Sequence, residues 1–148
     1  MIKVENSYSR LKTQYAVIFF DIDHFKKVND TYGHECGDVV LSTFGKILEK
    51  SIRDVDLVAR YGGEEFIAIV HFNLDRELLV LLKRIKSIVT ENSFIYQDKK
   101  LKITFSAGVT IRNKYPTYDI ALQKADSLLY KAKETGRNKI LLDNGIEI

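Results

Sequence analysis

Cysteine and proline are nearly missing from this chain, with one of each among 148 residues, and tryptophan is absent altogether. The lone Cys36 excludes an internal disulfide. With no Cys or His partner at metal-ligand spacing, it reads as a small packing or surface residue. Low-complexity tracts, internal repeats and linker-like stretches are also lacking. No apolar run approaches the ~18 residues needed to span a bilayer, and the N-terminal MIKVENSYSR has no signal-peptide core. A cytoplasmic, soluble chain without a membrane segment is the expectation. Nor does one sign of charge dominate: 23 Lys and Arg against 20 Asp and Glu leave +3, which neither demands nor excludes a polyanionic partner.

What is present suits a single core. Hydrophobic residues make up 45% of the chain, with eight Tyr and eight Phe among them, so one domain over residues 1–148 is expected. YAVIFFDID (15–23) is an apolar run that turns abruptly acidic, the pattern of a strand buried on both faces whose end emerges into a site. A helical period follows over 39–52, with Asp38 placed to cap or lead its first turn, and another over 78–89. LKITFSAGV (101–109) alternates Leu101, Ile103, Phe105 and Ala107 inward, as a half-buried strand does. A last helix over about 118–135 ends at Gly136, and KILL (139–142) closes the chain as a short strand. The order β-α-β-β-α-β-α-β predicts an α/β (α+β) sandwich of the split-βαβ, palm-like kind, with an antiparallel hairpin at the middle of its sheet.

The hairpin carries RYGGEEF (60–66). Gly62 and Gly63 read in two ways: as suppliers of positive φ in a tight turn, or as bare backbone that a nucleotide or its metal approaches closely. In the predicted sandwich the end of the first strand lies beside the hairpin tip, so that Asp21, Asp23, Glu64 and Glu65 converge. Carboxylates about 4 Å apart repel by roughly 1 to 4 kcal/mol, a cost that a hard divalent cation removes. Mg²⁺ joins one or two carboxylates to water and substrate phosphates, and a pair of such ions serves phosphoryl transfer. Asn29 and Asp38 follow as readers of a base edge; Asp38 would accept from guanine N1 and its amino group, unless it is a plain helix cap. Lys133 and Arg137, in KAKETGRN, suit either phosphate binding or a solvated helix end. His24, His34 and His71 have no metal-site spacing.

FFDIDHFKKVNDTYGHECGDVVL, RYGGEEF, TFSAGV and ADSLLYKAKETGRN resemble, in order and spacing, the GGDEF domains, the diguanylate cyclases of bacterial signalling, in the GGEEF form. The resemblance covers about residues 15–140. It implies a transferase that condenses two GTP into cyclic di-GMP with release of two pyrophosphates. By position it implies that Asp21, Glu64 and the main-chain carbonyl of Ile22 bind Mg²⁺ or Mn²⁺, two ions per site. Glu64 would also assist deprotonation of the ribose 3′-hydroxyl, and Glu65 would support the metal and that hydroxyl. Asn29 and Asp38 would hold guanine, Phe25 and Leu41 would border it, and Lys26, Lys133 and Arg137 would meet the phosphates. Each subunit would bind one GTP, so a homodimer, at least transient, is implied. Arg53 and Asp56 form an RxxD sequence with five residues between it and Gly62, which matches the family's inhibitory product site; the alternative is a surface salt bridge.

Residues 1–14 depart from the family's usual lead-in, and an upstream sensory domain is a possible partner. No nucleic-acid partner is expected. A second reading is a catalytically silent module that binds cyclic di-GMP or GTP as a sensor or dimerisation scaffold.

Overall fold

In the computed structural model, which describes residues 14–92 and 94–148, the apolar run at 15–23 forms strand β1 (Gln14–Ile22) at the centre of a five-stranded sheet. β1 pairs antiparallel with β3 (Glu65–Phe72) on one side and β6 (Phe105–Ile111) on the other. β2 (Leu57–Arg60) lies outside β3, and β7 (Ile140–Leu142) runs parallel to β6 at the far edge. A strand with no polar alternation must be covered on both faces, and both are. Ala16, Ile18, Phe20 and Ile22 enter a large core beneath helices α1 (Phe25–Tyr32), α2 (His34–Ser51) and α3 (Asp75–Glu91). Tyr15, Val17 and Phe19 pack on the other face against Ala121, Ala125 and Leu129 of α4 (Tyr118–Glu134). The result is the expected mixed sheet flanked by helices, but the antiparallel hairpin β2–β3 makes one side of the sheet rather than its middle, which β1 takes because both its faces are apolar.

Phe44 of α2 centres the larger core, its ring 5.2 to 6.1 Å from those of Phe66, Phe105 and Phe20. Such tilted and edge-on contacts are the arrangements aromatic quadrupoles favour. Cys36 is fully buried and makes part of this packing.

Three further expectations need correction. Helix α1 was not foreseen: only Phe25 and Val28 anchor it, too few to display a period, and His24 (φ 56°) and Gly33 (φ 95°) bound it with left-handed backbone. Gly33 in turn is the N-cap of α2, so α2 begins at His34 and Asp38 is an exposed residue inside the helix rather than its cap. The strand expected at 101–109 is two elements. β4 (Phe94–Tyr96) and β5 (Lys99–Leu101) make a separate hairpin through Gln97 (φ 55°), and β6 starts only at Phe105.

Leu101, Ile103, Phe105 and Ala107 do face the larger core, but β6 is buried on both sides, not half-buried, because α4 lies across it. α4 comes so close at Gly108 that a Cβ there would sit 2.0 Å from the Ala125 carbonyl oxygen. The helix is capped by the Thr117 side chain, which accepts from Ile120 N–H at 3.2 Å. It closes as expected at Gly136 (φ 117°), where Arg137 N–H reaches back to the Ala132 carbonyl at 2.9 Å. The atypical segment at 1–14 lies outside the described residues apart from Gln14, which opens β1.

Candidate active site

The buried strand and the hairpin tip meet where they were expected to. Cross-strand register places Asp21 opposite Glu65, and one step further Ile22 N–H donates to the Glu64 carbonyl at 3.3 Å. Asp21, Ile22 and Glu64 thereby share the wall of an open cavity of about 440 Å³ with Phe25, Lys26, Lys133 and Arg137. The hairpin tip is held by Arg60, whose Nε donates to the carbonyls of Gly62 and Gly63 at 3.3 and 3.0 Å. Arg60 was not singled out in the sequence, where it reads as an ordinary strand-end cation.

The glycines separate their two readings. Left-handed glycine backbone among the described residues occurs at Gly33, Gly136 and Gly145, not at Gly62 or Gly63, so the turn does not require them for φ. Space above the backbone remains as their reason. A Cβ on Gly63 would have nothing within 4 Å, and one on Gly62 would meet only a Glu65 carboxylate oxygen at 3.2 Å.

Asp21 is 4% exposed, and burial pushes its carboxyl up to about 6. The hydrogen bond and charge of Lys133 oppose that rise, while Glu64 and Glu65 add to it. Lys133 Nζ lies 2.5 Å from Asp21 Oδ2 across the cavity. The carboxylates are thus crowded, and one is already paired with a cation. Among the described residues no three His, Cys, Asp or Glu side chains close into a ready cage. Asp21 and Glu64 instead line one open cavity with Ile22, and carboxylate oxygens are the donor chemistry that Mg²⁺ or Mn²⁺ takes together with water and phosphate.

Asp23 lines the same cavity as Asp21 and Glu64, but its carboxylate oxygens are taken up by protein donors. It is buried and turned to the sheet interior, accepting from Ser106 Oγ at 2.7 Å, Thr104 Oγ1 at 2.7 Å and Asn138 N–H at 2.9 Å.

The residues suggested for guanine flank this cavity along α1 and α2. Asn29 Oδ1 is buried without a hydrogen-bond partner, a costly arrangement for an amide oxygen. It rests on Gly37, where a Cβ would lie 1.9 Å from it. Asp38 and Leu41 line a neighbouring groove of about 440 Å³ with Phe66 and Arg60.

Arg53 and Asp56 sit elsewhere, past the C-terminus of α2. The two do form an ion pair, Arg53 Nε to Asp56 Oδ2 at 3.6 Å, but it is exposed only on the Arg53 side: the Asp56 side chain is 1% exposed, and its oxygens also accept from the backbone N–H groups of Arg53 (3.0 Å) and His71 (2.8 Å). The Arg53 guanidinium donates to the His71 carbonyl. A small cavity of about 190 Å³ beside them is also lined by Arg84, which the sequence presented only as part of a basic helix face and which donates to the Ser51 carbonyl at 2.6 Å.

An acidic strand end thus stands against a glycine-opened hairpin, faced by a lysine and an arginine, on a mixed sheet flanked by helices. The family model for the diguanylate cyclase GGDEF domain matches residues 2–139, and the chain belongs to that family. Diguanylate cyclase A of Treponema denticola is 38% identical over 138 residues, covering 93% of this chain and 37% of its own. This chain therefore spans little more than a third of that relative's length. Among solved structures, the GGDEF domain of DgcB from Caulobacter crescentus in complex with c-di-GMP superposes with a TM-score of 0.88 at 27% identity, over 97% of this chain and 85% of that one. The active GGEEF domain of a diguanylate cyclase from Vibrio cholerae gives a TM-score of 0.81 at 33% identity, over 95% and 89%.

Proposed function

We propose that this chain condenses two GTP molecules into cyclic di-GMP and two pyrophosphates, as a homodimer, with feedback inhibition by its product through Arg53 and Asp56. The observation that carries the reading is the single cavity shared by Asp21, Ile22, Glu64, Lys133 and Arg137. It sets an oxygen donor set opposite two cations, as a triphosphate in complex with a divalent ion requires. The open space over Gly63 and the unpartnered Asn29 oxygen support a ligand that closes on the hairpin and offers a donor beside α1.

In this reading Asn29 and Asp38 take the guanine edge, with Phe25 and Leu41 against its faces. Arg137 and Lys26 hold the β- and γ-phosphates, and Lys133 turns to them from Asp21. Asp21, Glu64 and the Ile22 carbonyl hold the two divalent ions, Mg²⁺ or Mn²⁺, which when bound neutralise the charge of the reacting phosphoryl group. Glu64, supported by Glu65, accepts the proton of the 3′-hydroxyl; the new bond joins that oxygen to the α-phosphorus of the facing GTP, and pyrophosphate leaves. One cavity holds one GTP, so a second copy must present the other, and positioning is the main contribution of the protein.

Incubation of the chain with GTP and Mg²⁺ over a dilution series tests this. Cyclic di-GMP and pyrophosphate in a 1:2 ratio are expected from the reaction balance. Below the dimer dissociation constant, specific activity should fall about tenfold per tenfold dilution, since dimer is limiting. Glu65→Gln should abolish turnover with an unchanged melting temperature. A folded, dimeric chain that makes no product, or full turnover by Glu65→Gln, would overturn the reading; calorimetric binding of GTP or cyclic di-GMP without turnover would establish the silent module instead.

A further inference from the structure

The second aspartate of the DID sequence, Asp23, has no part in the chemistry described so far, although it lies two residues from Asp21 and is only 5% exposed. A buried carboxylate must be matched by donors, and Asp23 has three from distant parts of the chain. Ser106 Oγ donates to Oδ1, while Thr104 Oγ1 and Asn138 N–H both donate to Oδ2. Its own N–H donates to the Thr104 carbonyl at 3.0 Å. Asp23 also lines the cavity of Asp21 and Glu64, and with both oxygens already accepting from protein donors it ties three distant segments together at the cavity's edge.

What it anchors is the turn after α4. Gly136, Arg137 and Asn138 are three consecutive residues with left-handed backbone, at φ 117°, 61° and 50°. Glycine adopts this region freely and asparagine tolerates it, but for arginine it costs on the order of 1 kcal/mol or more, and such strain persists only where the surroundings impose it. Two bonds impose it here: Arg137 N–H to Ala132, which closes the helix, and Asn138 N–H to Asp23, which fixes the far side of the turn to the end of β1. Arg137, held between them, lines the cavity of Asp21 and Glu64.

We propose that Asp23 is a positioning residue that acts through Arg137. By fixing the strained 136–138 turn to the end of β1, it aims the Arg137 guanidinium at the β- and γ-phosphates of the nucleotide. The proposal rests on the reading of this cavity as a GTP site, and equilibrium binding keeps the two separable because it needs no turnover.

The test is calorimetry with Mg²⁺ and a GTP analogue whose α–β bridge cannot be cleaved, alongside GMP, which lacks both phosphates that Arg137 would hold. Wild type that binds neither would defeat the GTP reading itself. If wild type binds both, Asp23→Ala should weaken the analogue about five- to tenfold and GMP less than about twofold, while Asp23→Asn, which keeps an acceptor for Asn138 N–H, recovers most of the loss. In an Arg137→Ala background, Asp23→Ala should add less than about twofold, because both substitutions remove one interaction.

Equal losses for the analogue and GMP would mark a merely structural role. Multiplicative losses in the double variant would show that Asp23 does not act through Arg137. Either result overturns the proposal. Should Asp23→Ala not fold, Thr104→Val loosens the same carboxylate and is read identically, with an expected two- to threefold loss, roughly one hydrogen bond's share, for the analogue alone.

Discussion

Asp21 shows how a single residue trades folding stability for function. Its carboxyl ordinarily titrates near 3.8, and burial raises that to about 6. The folded state therefore favours the protonated form. The corresponding stability is fully present below about pH 3.8 and is lost as pH rises through about 6. In chelator, Asp21→Asn, which mimics the neutral carboxyl, should be more stable than wild type at pH 7.5 by on the order of 2 kcal/mol, and the difference should vanish near pH 4. Urea unfolding at the two pH values checks this; a variant less stable at pH 7.5, or a gap that does not depend on pH, would contradict it.

Which carboxylates stand at the site was legible only in part. Asp21 and Glu64 are readable because an acidic strand end and an acidic hairpin tip become neighbours in any sheet of this order. Asp23 is not, because its three donors lie 81, 83 and 115 residues away in sequence. Of the two readings of Asp38, the helix cap falls away because α2 is capped by Gly33, one of the weaker N-cap residue types.

Among the elements, those with many buried contacts declared themselves. β1, β3, α3 and α4 each carry an apolar pattern that spans most of the element. α1 and the β4–β5 hairpin do not, since helix and strands of eight and three residues bury too few side chains to fix a period. Gly108 was likewise silent in TFSAGV, where any small residue satisfies the alternation. In the fold it is the point of contact between β6 and α4: an added Cβ would meet the Ala125 carbonyl at 2.0 Å, Leu129 N at 2.6 Å and Leu128 Cβ at 2.9 Å. Two of these are helix backbone, which moves only if the whole helix moves. Gly108→Ala should therefore cost roughly 2 to 4 kcal/mol as an overpacking substitution. Gly45→Ala in α2 gives the contrast: its added Cβ would meet the Phe66 ring at 3.4 Å, an ordinary contact, while helix propensity gains about 1 kcal/mol. Thermal melts of the two variants should shift in opposite directions, and a neutral Gly108→Ala would mean that α4 does not pack as described.

For the molecule as a whole, the register of β3 sets the distance between the Asp21 cavity and the proposed product site at Arg53 and Asp56. Glu65, at the hairpin tip, pairs with Asp21, whereas His71, which takes the Arg53 guanidinium and supports Asp56, pairs with Tyr15 at the opposite end of β1. Six residues of strand separate them, about 20 Å at the usual rise per residue. On the proposed reading, a product molecule held at Arg53 would be too far away to overlap GTP in the same chain, and inhibition through this site would act on how two chains face each other rather than exclude substrate. Two consequences are open to steady-state kinetics. Added cyclic di-GMP should lower kcat with little change in KM for GTP. Arg53→Ala should raise the inhibitory concentration by at least about tenfold, the loss of one charged, hydrogen-bonded contact, while leaving the uninhibited rate unchanged. Inhibition that competes with GTP and survives Arg53→Ala would place the product in the Asp21 cavity instead and remove the second site from the account.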